Sequence, residues 1–140
     1  MNPPTADTAD GPAPRSAGSP AAVSAPCSAA EARRQVCALL QQAGVGLDSV
    51  TAADALLVTS ELVTNAIRHG GGLTCFRTEI MGEALLVDVS DTSPHVPTTR
   101  AAAPAQPGGF GWPLIQRLAA RVDVRRHSRG KTITTVLRLA

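Results

Sequence analysis

The chain has 140 residues, a formal net charge of +2 and 44% hydrophobic residues, with two Phe, one Trp and no Tyr. That is room for one domain around one aliphatic core. So small a charge excess and so few aromatics argue against a nucleic-acid binder, which needs a clustered basic face.

Met1 to Pro26 is built of Pro, Ala, Ser, Gly, Thr and Asp. It holds too little apolar surface to offset ordering entropy, so residues 1–26 are expected to be a disordered tail and residues 27–140 the domain. Ser28-Ala29-Ala30-Glu31 is a capping-box pattern, and Val36, Leu39 and Leu40 follow at helical spacing. A first helix is predicted to run to about Ala43 and stop near Gly44. A second follows, with Ser49 or Thr51 as its cap, through Leu56 to His69.

On a helical wheel Leu56, Thr59, Leu62, Val63, Ala66 and Ile67 share one broad apolar arc, while Ser60, Thr64 and Arg68 lie opposite. Glu61, Asn65 and His69 stack at the edge of the arc. Such border residues are ordinarily a solvated rim, and these gain meaning only with the segments downstream. Gly70-Gly71-Gly72 suits a C-cap with positive φ.

The period then changes to two. Leu73 to Ile80 and Ala84 to Ser90 read as strands joined at Met81-Gly82-Glu83, the second apolar enough to be central. Thr92 to Gly109 is a long connection with Pro94, Pro97, Pro104 and Pro107, of the kind that often forms a lid. Trp112 to Ala120 reads as a helix with Pro113 in its first turn. Val122 to His127 and Thr132 to Leu139 are two more strands. Arg121, Arg125, Arg126, Arg129 and Lys131 read as basic tips of their exposed hairpin. The order predicts an α+β two-layer sandwich, a mixed β-sheet covered on one face by about three helices.

The three cysteines, Cys27, Cys37 and Cys75, suit neither a disulfide framework nor a zinc site, and fit free thiols in a reducing cytoplasm. No apolar run approaches the roughly 18 residues of a membrane span, and no secretory signal opens the chain. Gly130-Lys131-Thr132 lacks the earlier glycine of a P-loop, and His69, His95 and His127 are too scattered for a metal triad.

Three pieces remain: Glu61-x3-Asn65 on a helix, Asp91 at the end of a central strand, and Gly109-x-Gly111 opening a helix. Each is common alone. Together they point to a nucleotide site. An asparagine carbonyl oxygen is a hard ligand suited to Mg²⁺ carried in with phosphates. A carboxylate can accept from an exocyclic amine. Glycines before a helix let backbone N–H groups approach phosphate oxygens.

These segments resemble the GHKL ATPase superfamily, whose domains adopt the Bergerat fold, and within it the anti-sigma-factor serine/threonine kinases and their small relatives. Glu61-Leu62-Val63-Thr64-Asn65-Ala66-Ile67-Arg68-His69-Gly70 is similar to the N-box, Val89-Ser90-Asp91-Thr92-Ser93-Pro94 to the first glycine box, and Gly109-Phe110-Gly111-Trp112-Pro113-Leu114-Ile115 to the second. Gly130-Lys131-Thr132 resembles the start of the family's late strand. The resemblance implies ATP and Mg²⁺ as cofactors, Asn65 as the Mg²⁺ ligand and Asp91 on the adenine amine with Thr132 supporting it. It implies Gly109 and Gly111 at the phosphates, Arg100 reaching the terminal phosphate, and Glu61 as general base. It also implies a sigma factor and an anti-anti-sigma factor as partners, a cytoplasmic location and a homodimer.

Ser93 and His95 stand where the fuller first box has glycines, which should stiffen the start of the lid. Pro113 removes one N–H from the helix start. The alternatives to a kinase are therefore an ATP-sensing module without transfer activity, and an interaction domain that has lost nucleotide.

Overall fold

The computed structural model describes residues 22–24, 28–95 and 111–139. Arg100 and Gly109, with most of the expected lid and tail, lie outside these residues. The elements are β1 (Ala22–Ser24), α1 (Ala29–Gln42), α2 (Val50–His69), β2 (Leu73–Met81), β3 (Ala84–Asp91), α3 (Gly111–Leu118), β4 (Arg121–His127) and β5 (Gly130–Arg138).

The caps explain the helix starts. Ser28 Oγ accepts from Glu31 N at 3.1 Å, and Ser49 Oγ accepts from Ala52 N at 3.1 Å. Each satisfies an amide that has no intrahelical acceptor. At the other end of α2, Gly70 N and Gly72 N both donate to Ala66 O, and Gly71 supplies the positive φ, 78°.

The sheet order is β1-β2-β3-β5-β4, and every neighbouring pair is antiparallel. The expectation of a mixed sheet is thus corrected. The connection from β3 through α3 to β4 suggests parallel neighbours, but β5 inserts between them and runs against both. A second correction concerns Ala22–Ser24. Composition put it in the unstructured tail, yet it forms a short edge strand on β2, with Val23 opposite Arg77. Main-chain pairing does not require apolar side chains.

One face of the sheet carries the core. Phe76, Leu85, Val87, Val89, Ile133 and Leu137 are buried there against Val36 and Leu40 of α1, Val58, Leu62 and Val63 of α2, and Ile115 of α3. The buried hydroxyls on this face are satisfied: Thr78 donates to Leu86 O and Thr135 to Val87 O. The other face alternates in polar residues, among them Arg77 paired with Asp88.

The buried arc of α2 is displaced from the wheel reading. Val58 is fully buried, whereas Leu56 is half-buried and Ile67 is 49% exposed. Helix α3 packs on the Val58 side, which is the side that Glu61 and Asn65 border. By length and composition α2 could cross a membrane, which no unbroken apolar run had indicated. Here its apolar arc is spent on the sheet and α3.

Phe76→Ala should cost about 3–5 kcal/mol in chemical denaturation, because the side chain fills the centre of the core. Val50→Ala, at a position 77% exposed, should change stability by no more than about 0.5 kcal/mol.

Candidate functional site

Glu61 and Asn65 lie one turn apart on α2, both half-buried. Glu61 Oε1 is buried and, among the described residues, has no hydrogen-bond partner. Such an atom costs free energy unless a ligand supplies the missing donor or cation. Gly111, the first residue of α3, packs directly on this pair. A Cβ at Gly111 would overlap Glu61 Oε1 and come within 3.4 Å of Asn65 Nδ2. Glycine is therefore required there by close approach. Pro113 sits in the first turn of α3, and Trp112 and Ile115 anchor that helix in the core.

At the far end of α2 lies Asp91, the last residue of β3, only 3% exposed. Its cross-strand partner on β5 is Lys131, 4% exposed. Lys131 Nζ donates to Asp91 Oδ1 at 3.0 Å and to Ser93 O at 3.2 Å, and lies 2.9 Å from Asp91 Oδ2 in the same ion pair. Ser93 N donates to Asp91 Oδ1 at 2.9 Å. Gly70 covers the carboxylate from the α2 side, where a Cβ would overlap Asp91 Oδ2 and Cγ. Gly70 O in turn accepts from Thr92 N and Thr92 Oγ1, each at 3.0 Å. On the other flank Gly130, with φ 138°, touches Asp91 O.

These contacts put Asn65 and Asp91 at one end of the molecule. Asn65 precedes Gly70 by five residues, about 7.5 Å along the helix axis, and Gly70 touches Asp91.

Thr132 is not beside Asp91. It pairs with Ser90 in the register, on the opposite face of the sheet. Its hydroxyl meets Ser90 Oγ at 2.8 Å and His127 Nε2 at 3.1 Å. Strand parity explains the difference. Ile133 and Leu137 point to the core, so Lys131 shares their face and Thr132 does not. The same alternation was the signal that Lys131 belongs to the site and not to a basic hairpin tip. Ser93 carried no such signal, because its contacts are made by the local turn.

A family model described as "Histidine kinase-like ATPase domain" matches residues 22–137. No curated protein matches the chain. Among solved structures, the chain is similar to the histidine kinase domain from the Erythrobacter litoralis EL346 blue-light activated histidine kinase. The identity is 24% and the TM-score 0.48, over 84% of this chain and 65% of that one.

Gly70→Ala should destabilise the protein by about 1–3 kcal/mol in urea titration, since the added methyl must push Asp91 out of its place. Its φ of −100° is open to alanine, so the loss measures the contact and not backbone strain.

Proposed function

The chain belongs to the histidine kinase-like ATPase family, an ATP-binding family, and from that premise we propose that it is a Mg-ATP-dependent serine/threonine kinase. Its acceptor is a serine of an anti-anti-sigma partner, and it holds a sigma factor when that partner is absent. The observation that carries the reading is the unpartnered, buried Glu61 Oε1 beside Asn65 at the start of α3.

The residues fit the nucleotide. Among the described residues no three His, Cys, Asp or Glu side chains cluster for a metal. A cation at Asn65 would therefore take most of its oxygen ligands from the phosphates. When bound, Mg²⁺ neutralises phosphate charge. Glu61 takes the proton of the acceptor hydroxyl as that oxygen bonds to the γ-phosphorus, and ADP leaves. Asp91 receives the base beyond the C-terminal end of α2, next to Gly70. Gly111 lets α3 approach the phosphates, and Gly109 and Arg100 complete that side in this reading. A cytoplasmic location and a homodimer belong to the same proposal.

A second reading, an ATP-sensing module without transfer, draws on two features. Asp91 is already committed to Lys131, and Pro113 leaves α3 one amide short.

Calorimetry with Mg-ATP should show binding that Asn65→Ala weakens at least about tenfold. Glu61→Gln should keep the binding and abolish transfer of labelled phosphate to a partner serine. Tight binding by the unaltered chain with no ADP formed would favour the module, and no nucleotide binding would refute both.

A further inference from the structure

We infer that Asp91 and Lys131 act as one reading head for the six-position of a purine, so that 6-oxopurine nucleotides such as ITP and GTP are accepted alongside ATP. This rests on the nucleotide reading above and concerns which bases the same site takes.

A carboxylate only accepts and an ammonium only donates. A 6-aminopurine presents a donor at the six-position and an acceptor at N1. A 6-oxopurine presents the reverse, an acceptor at the six-position and a donor at N1. A lone carboxylate held opposite the six-position suits only the first, because there its oxygens face the carbonyl of the second with no proton between them. A site built on one polarity rejects the other by about a hundredfold or more.

This site holds both polarities in contact. Asp91 and Lys131 are direct neighbours in the β3–β5 register, both buried, with Nζ within 3.0 Å of each carboxylate oxygen. The ammonium donates to one carboxylate oxygen and to Ser93 O, and sits 2.9 Å from the other carboxylate oxygen. One donor can turn to a base oxygen or to N1 while the ion pair stays closed. The Ser93 bond is the one to exchange, since it is the longer of the two hydrogen bonds and ends on a backbone carbonyl, not on the charged partner. An adenine amine donates to the carboxylate and N1 accepts from Lys131. A hypoxanthine or guanine O6 accepts from Lys131 and N1–H donates to the carboxylate.

Thr132 cannot perform this role, because it lies on the opposite face with Ser90 and His127. Arg126 is Lys131's neighbour on β4, but its side chain is exposed.

The test is competition among ATP, ITP and GTP for the full chain with Mg²⁺, read as dissociation constants by calorimetry. In the unaltered protein ITP should bind within about tenfold of ATP. Lys131→Met keeps the aliphatic stem and removes the donors. It should raise the ITP-to-ATP ratio of dissociation constants by about tenfold or more. A ratio is unaffected by the fraction of protein that folds, so a purely structural lysine would leave it unchanged. If Lys131→Met does not fold, the unaltered protein still decides. Rejection of ITP by more than about a hundredfold while ATP binds through Asn65 overturns this inference alone. An unchanged ratio in folded Lys131→Met overturns it as well. Absence of binding by every nucleotide overturns it together with the nucleotide reading.

Discussion

A carboxylate and an ammonium taken out of water cost several kcal/mol each, and only close geometry with full hydrogen bonding offsets that cost. The Asp91–Lys131 pair meets the condition. The ammonium donates to Asp91 Oδ1 and to Ser93 O, both carboxylate oxygens lie within 3.0 Å of it, and the carboxylate also receives Ser93 N. Breaking the pair from either side would strand a buried charge, at about 3–5 kcal/mol. The backbone around it is arranged accordingly. Gly70 and Gly130 both lack side chains where one would strike Asp91, so the end of α2, the end of β3 and the start of β5 close on one point.

That closure sets the rest of the site. Helix α2 serves the core and the site with a single rotation about its axis. Val58, Leu62 and Ala66 fix the rotation by burial, and Glu61 and Asn65 follow at the border. Gly111 then brings α3 against them, held by Trp112 and Ile115 in the core. Side chains positioned this way need little ordering on binding, which is the physical content of a preorganised site. It also explains why Glu61 Oε1 can stay buried without a partner: the helix that carries it cannot turn it out to water without unpacking Val58.

Much of this was legible from local chemistry. The capping serines, the Gly70–Gly72 stop, the Met81–Glu83 turn and the two strand pairs all depend on residues near each other in sequence, and each lies where its pattern placed it. What failed depended on distant partners. The wheel for α2 could not know which neighbours would bury Val58 and leave Ile67 exposed. Hydropathy could not find β1, which is defined by its backbone register with β2. The expected mixed sheet is antiparallel throughout, because β5 inserts between β3 and β4, which nothing local to β3 indicates. The Lys131 error differs in kind. The alternation Ile133, Thr135, Leu137 extends back to position 131 and was readable. The charge of the residue outweighed its parity, and a lone lysine in an inward register position implies a buried acid waiting for it.

The committed carboxylate also bears on where binding energy can come from. In the proposed nucleotide reading, a base arriving at Asp91 meets groups already bonded to each other, so its hydrogen bonds replace existing ones. Exchange of that kind contributes little net affinity. Further back along the C-terminal half of α2 the setting differs. There, among the described residues, Glu61 Oε1 has no bond to give up. A cation with phosphates at Asn65 adds interactions where none existed, in a half-buried setting where charges are poorly screened. Affinity should therefore reside on the phosphate side and discrimination on the base side. The two are joined by the last turns of one helix, α2, whose buried face neither side can alter without disturbing the core.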